Sequence, residues 1–250
     1  MHFLYHNLHK HSNFNYCEFK VQDIFILIQL LDIPENCRVN VGFLVDETQS
    51  LQQEGWRTMK DFVLLFSKSF GIAEDGVHVA LATFDSDSSL VIKFSDHKNY
   101  SSFENAVEKM LMRNEISDEP EVSDAFKGLN VSLNEMFTIK NGMRLDTPNV
   151  LFYMTDGKCS RTEGECSDKE FRQWKNRFQA YNVTVFGIGF GHEKAYENDM
   201  EIFVGNNYFH QGNISHILSA EFRHNLFHCD GKLLIRYTSS SIRDSKIYDI

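Results

Sequence analysis

No stretch of about 18 or more consecutive apolar residues occurs in this chain, so the sequence offers no candidate membrane-spanning helix. Basic charge is also in short supply: 25 Lys and Arg stand against 35 Asp and Glu, a formal net charge of -10. That balance argues against nucleic acid as the main partner, because such binding rests on cations meeting phosphates. Internal repeats and low-complexity tracts are absent, and so are Gly-x-Ser-x-Gly, glycine-rich phosphate loops and Cys/His pairs at zinc spacing. The absent motifs remove common routes to catalysis, nucleotide binding and zinc coordination.

What is present is a chain with a substantial core. At 250 residues, 42% hydrophobic and with 22 Phe, it has room for one large domain with short extensions. Strands alternate with helices from about residue 38 to residue 228, the pattern of a mostly parallel sheet covered on both faces. Residues 39–50 (VNVGFLVDETQS) form a buried strand that runs into Asp46, with Thr48 and Ser50 at every second position after it. Residues 149–157 (NVLFYMTDG) repeat the design, an apolar strand that ends in Asp156. Two buried strands that finish on carboxylates suggest parallel neighbours sharing the carboxyl edge of a sheet, where open α/β sheets place ligands. Carboxylates with hydroxyls make an all-oxygen site suited to a hard divalent cation such as Mg2+. A strand-end Asp beside Thr and Ser can equally cap the following helix, and both readings stand at this level.

Between these strands, Trp56, Met59, Val63, Phe66 and Phe70 mark one face of a helix that Gly71 ends. Residues 77–84 (VHVALATF) read as a strand, and the short turn after it leads to Leu90, Ile92 and Phe94 in alternation. So short a connection predicts an antiparallel edge strand over residues 90–94. Ser101 and Glu104 suggest a capping box for the next helix, and another helix begins near Ser123. Ser167 and Glu170 cap a further helix, residues 183–189 (VTVFGIG) form a strand, and a last helix is expected from about residue 214 to 227. Glu115, Asp118, Glu119, Glu121 and Asp124 crowd one loop with no Lys or Arg between them, either as a solvated acidic loop or as an attractor of cations.

The order and spacing of Asp46-Glu47-Thr48-Gln49-Ser50, residues 77–84, Thr155-Asp156-Gly157 and residues 185–189 resemble a von Willebrand factor type A domain, the module of integrin inserted domains, matrilins and collagen VI. The resemblance covers about residues 38 to 228. It implies a doubly wound, mostly parallel six-stranded α/β sheet with one antiparallel edge strand and helices on both faces. It also implies a metal-ion-dependent adhesion site, in which Asp46, Thr48, Ser50 and Asp156 match Asp-x-Ser-x-Ser and the later Asp. The cofactor it implies is Mg2+ or another divalent cation (Mn2+, Ca2+). The family's middle-loop Thr would fall on Pro120, which offers no side-chain ligand, so the site departs from the pattern there. Glu119 and Glu121 are the candidates to compensate, with Ser117 and Ser123 beside them.

The domain plan is then an N-terminal extension (1–36), a type A domain (37–229) and a C-terminal tail or linker (230–250). The run at residues 24–31 (IFILIQLL) is the one candidate targeting element, and it lacks a clear small-residue cleavage site. His2, His6, His9 and His11 make too unshaped a set to define a metal site. Of the five Cys, Cys159 and Cys166 are close enough in sequence to bridge locally. The resemblance implies a bridge between Cys37 and Cys229, since the ends of this fold lie near each other, while Cys17 is left over. Reduced thiols are the alternative for all five. Asn99, Asn130, Asn182 and Asn213 head glycosylation sequons. Together these features suggest a secreted or extracellular, non-catalytic module that binds a protein ligand, with an acidic side chain on that ligand as the candidate contact. The alternatives are a metal-independent matrix interaction domain and a haloacid-dehalogenase-like phosphatase. The phosphatase would need an acid two residues after its nucleophilic Asp, and Thr48 stands there.

Overall fold

The computed structural model describes residues 38–111, 123–157, 160–161, 164–165, 167–190 and 197–210. β1 (Asn40–Asp46) is buried at every position, as an apolar run covered on both faces must be. A single 3-10 turn leads from it into α1 (Gln52–Lys68). β2 (His78–Phe84) and β3 (Ser88–Ile92) follow, then α2 (Tyr100–Glu108) and α3 (Ala125–Val131), which a π turn (Ser132–Met136) prolongs. β4 (Asn149–Thr155) is again wholly buried. After it come a two-residue hairpin, β5 (Ser160–Arg161) and β6 (Gly164–Glu165), and then α4 (Asp168–Ala180), β7 (Val183–Gly189), α5 (Glu197–Val204) and β8 (Tyr208–His210).

The main sheet has six strands in the order β3-β2-β1-β4-β7-β8. All neighbours are parallel except β2 with β3. Alternation along the strands divides the core in two. Val41, Phe43, Val45 and Phe152 face α1 and α2, whereas Leu44, Ala82, Phe84, Leu151 and Tyr153 face α3, α4 and α5. The first layer is built on aromatic rings: Phe152 lies 4.6 Å from Phe66 and 5.6 Å from Phe43 between centroids. On the second face the π turn brings Met136 and Phe137 down onto β1. A Cβ at Gly42 would sit 2.5 Å from Met136 Sδ and 3.0 Å from Phe137 Cζ, so a larger residue there would have to push both side chains aside.

Two expectations shift in detail. The edge strand is β3, not residues 90–94, because Lys93 and Asp96 close a turn (Lys93 N–H to Asp96 Oδ2, 2.8 Å) that ends the pairing. Phe94 leaves the strand to pack 5.5 Å from Phe137. The cap of α2 is Asn99, whose side chain accepts from Ser102 N–H at 2.9 Å, while Glu104 accepts instead from the Tyr100 hydroxyl. Ser167 and Glu170 do form the expected capping box at α4. The helix expected at residues 214–227 lies outside the described residues, as do the N-terminal extension and the tail. Among the described residues no helix is long and apolar enough to cross a membrane.

Candidate metal site

β1 and β4 are hydrogen-bonded parallel neighbours with Val45 opposite Met154, so the next residues, Asp46 and Thr155, end abreast on one rim. Asp156 follows immediately, and the turn beyond it uses a positive φ of 91° at Gly157. Asp46 itself is fully buried. Its Oδ1 accepts the Thr48 backbone N–H at 2.9 Å and the Thr48 hydroxyl at 2.7 Å. Its Oδ2 accepts the Thr155 hydroxyl at 2.6 Å. Thr48 Oγ1 and Ser50 Oγ lie 3.0 Å apart, which makes a chain of hydroxyls leading away from the carboxylate. Gly157 N–H donates to Thr155 Oγ1 at 3.0 Å and fixes that hydroxyl in turn.

The capping alternative is partly realised. Asp46 holds the chain reversal after β1 through Thr48 N–H, but the N-cap residue of α1 is Leu51, which makes no side-chain cap. Asp46 therefore shapes the loop without capping the helix, and its carboxylate remains in the middle of a polar cluster.

The electrostatics of that cluster are adverse for a lone carboxylate. Burial, followed by the charge of Asp156, pushes Asp46 up to about 7, while the hydrogen bonds from Thr155 and Thr48 act in the opposite direction. A buried acid beside a second acid is stabilised by a cation brought to the same place. The donors suit one. Every side chain in the cluster offers oxygen, and a hydroxyl that gives its proton to Asp46 turns its lone pairs outward. An all-oxygen set of this kind is what a hard divalent cation takes. Among the described residues no group of three His, Cys, Asp or Glu side chains could hold a metal, so a set drawn from these residues would include hydroxyls.

Of the residues singled out in the sequence, Asp46, Thr48 and Ser50 come together, and Asp156 is near enough for its charge to act on Asp46. Glu119, Glu121 and Pro120 lie outside the described residues, as do Cys37, Cys159, Cys166, Cys229 and Asn213. Asn99, Asn130 and Asn182 are all exposed. Thr155 is the residue that sequence reasoning passed over. Its signal was there, a hydroxyl as the last residue of the second Asp-ended strand, but its contact depends on strand register.

The model for the von Willebrand factor type A domain matches residues 40–219, and the chain belongs to that family. It is similar to vitrin from Mus musculus (24% identical over 122 residues, 49% of this chain and 18% of vitrin). It is similar also to cochlin from Cavia porcellus (30% over 124 residues, 48% of this chain and 20% of cochlin). The collagen alpha-5(VI) chain from Homo sapiens is 23% identical over 189 residues, 75% of this chain and 7% of that protein. The chain thus spans a fifth or less of the length of these relatives. Among solved structures, proximal thread matrix protein 1 from the mussel byssus shares the fold with a TM-score of 0.62 at 21% identity, covering 73% of this chain and 46% of that one. A second structure of that protein, with a zinc-occupied MIDAS motif, has a TM-score of 0.63 at 19% identity and covers 78% and 48%.

Proposed function

We propose that this chain is a non-catalytic protein-binding module of the extracellular matrix or adhesion kind, and that it engages its ligand through a divalent cation at the rim where Asp46 and Asp156 meet. The observation that carries this reading is the fully buried Asp46 carboxylate, ringed by the Thr48 and Thr155 hydroxyls and pushed up to about 7 beside a second acid. Thr48 and Ser50 would hold the cation by their hydroxyl oxygens, with Asp46 and Asp156 supplying the balancing charge. The bound cation would supply a positive centre for an acidic side chain on the partner, and the loops around the rim would choose which partner. Mg2+ is the expected ion, with Mn2+ and Ca2+ as substitutes, and the zinc seen in the byssus protein's motif supports a metal-binding role for this place in the fold. The relatives' names, a collagen chain and a thread matrix protein, favour a matrix setting.

An enzymatic reading fits the cluster poorly. A phosphatase needs an acid at position 48 to move a proton, and the Thr48 hydroxyl instead gives its proton to Asp46. Calorimetric titration of Mg2+ and Mn2+ into the domain tests the proposal. Binding in the micromolar to millimolar range that Asp156→Ala abolishes supports it. Failure of either ion to bind at millimolar concentration would leave a metal-independent matrix interaction surface as the reading.

A further inference from the structure

Three sequons fall within the described residues, and they are not equivalent in the fold. Asn99 is the cap of α2, with its Oδ1 committed to Ser102 N–H, and the rest of its sequon, Tyr100 and Ser101, is already helical. Asn130 sits inside α3, where its Oδ1 accepts from Asn134 Nδ2 at 2.7 Å, and its sequon hydroxyl, Ser132, is completely buried in the π turn. Asn182 differs on each count. It occupies the turn between α4 and β7 with a φ of 54°, the one positive φ outside glycine among the described residues. Its backbone N–H closes the turn on Gln179 O at 3.0 Å, while its side chain is exposed. Its sequon continues into extended chain, Val183 and Thr184, and Thr184 is half-buried, not sealed in the core.

We propose that Asn182 is the N-glycosylated asparagine of the three. In the transfer, the Asn182 amide nitrogen bonds to the anomeric carbon of a polyprenyl-diphosphate-linked oligosaccharide. The bond from that carbon to the diphosphate oxygen breaks, the amide loses one proton, and the lipid diphosphate leaves. The acceptor must present a reachable amide and a reachable sequon hydroxyl, and the exposed Asn182 with the half-buried Thr184 at the start of β7 meets that need better than the helical Asn99 sequon or Asn130 with its sealed Ser132. Asn182 also lines a groove of about 240 Å3 in which Lys175, Gln179 and Asn207 offer polar partners to the first sugar. The site lies where β7 begins, at the edge of the sheet opposite Asp46 and Asp156, so a glycan there leaves the proposed ligand rim open.

The inference rests on the extracellular reading only for its natural occurrence, so its test supplies the route. The full chain is expressed behind an exogenous secretion leader in eukaryotic cells, and the whole lumenal and secreted pool is examined. Glycosidase release in heavy-oxygen water, followed by peptide mass analysis, should mark Asn182 and leave Asn99 and Asn130 unlabelled. Asn182→Gln should remove one glycan's mass, and Thr184→Ala should remove the same mass while keeping Asn182 in its turn. Asn99→Gln and Asn130→Gln should leave the mass unchanged. An unmodified Asn182, or a glycan on Asn99 or Asn130, overturns the proposal. Whether the chain is exported in its own cells is read separately, by locating it there, so the two readings can fail independently.

Discussion

The two rims of the parallel sheet both bury polar side chains, and they do it in opposite ways. At the amino-end rim, Asn40 donates to Asn149 Oδ1 at 2.8 Å and to Arg144 O at 2.9 Å. Arg144 reaches Gly76 O at 2.7 Å and Val39 O at 3.2 Å, and His78 sits between Glu74 O at 3.0 Å and Gly142 O at 3.3 Å. Amides, a guanidinium, an imidazole and backbone carbonyls tie residues 39–40, 74–78 and 142–149 together there, and the guanidinium spends its hydrogen bonds on neutral acceptors. At the carboxyl-end rim Asp46 lies beside the Asp156 carboxylate, with Glu47 and Asp85 also buried at strand ends, and its own oxygens accept from the Thr48 and Thr155 hydroxyls, Thr48 in turn meeting Ser50. The first arrangement is tied off by direct hydrogen bonds save at Arg144 Nη1, which is buried without a hydrogen-bond partner among the described residues; in the proposed reading a cation would complete the second. A buried polar group held by backbone partners marks a joint, whereas a buried acid pushed upward beside another acid marks a site.

The sharpest way to break this comparison is to neutralise one rim and truncate the other. Asp46→Asn keeps shape and most hydrogen bonds but removes the buried charge. It should abolish cation binding while leaving the metal-free protein at least as stable at pH 8, measured by calorimetric titration and thermal melting. Asn40→Ala at the other rim should do the reverse, costing about 2–3 kcal/mol in denaturant unfolding because buried partners lose their hydrogen bonds, with cation affinity unchanged. If both variants affect stability and binding alike, the two rims are not distinct in kind.

A smaller effect should come from Thr155→Val, which keeps the volume of the side chain but removes the donor to Asp46 Oδ2. Cation binding should weaken by about tenfold, as when a ligand loses the group that orients it. An unchanged affinity would reduce Thr155 to a strand-end residue with no part in the site.

The smallest effect is the pH response of the amino-end rim. Burial, then the charge of Arg144, lowers the folded pKa of His78 below 6.5. Below that value the unfolded chain takes up a proton that the folded chain resists, so stability present above pH 6.5 is lost as pH falls. His78→Gln should flatten that acid limb in melting experiments. An acid limb identical in both proteins would place its cause elsewhere.

Much of this was legible in the chain. β1 and β4 announce themselves as continuous apolar runs closed by Asp, because strands buried on both faces need no alternation. The start of α4 is written in Ser167 and Glu170, a local device with a local reading. The start of α2 is ambiguous in the sequence because Asn99 and Ser101 both offer a capping oxygen, and in the fold it is Asn99 that accepts from Ser102 N–H. The π turn at residues 132–136 was invisible, since Leu133 and Met136 satisfy helical periodicity as well. Within the site, the spacing of Asp46, Thr48 and Ser50 was local and readable. The bond from Thr155 joins residues 109 apart and follows from register, which no local pattern encodes.

In this reading Asp46 is held in the fold for a cation, and melting the protein across pH with and without Mg2+ probes that reading at its root. In the folded chain Asp46 is raised from 3.8 to about 7, so the metal-free protein is favoured below pH 4 and loses that stability as pH rises through about 7. The cation binds the ionised form, so Mg2+ should raise the melting temperature by an amount that is small near pH 5, grows through pH 7 and is absent in Asp46→Asn. A melting temperature that Mg2+ and Mn2+ leave unmoved at every pH, or an equal rise in Asp46→Asn, would contradict it.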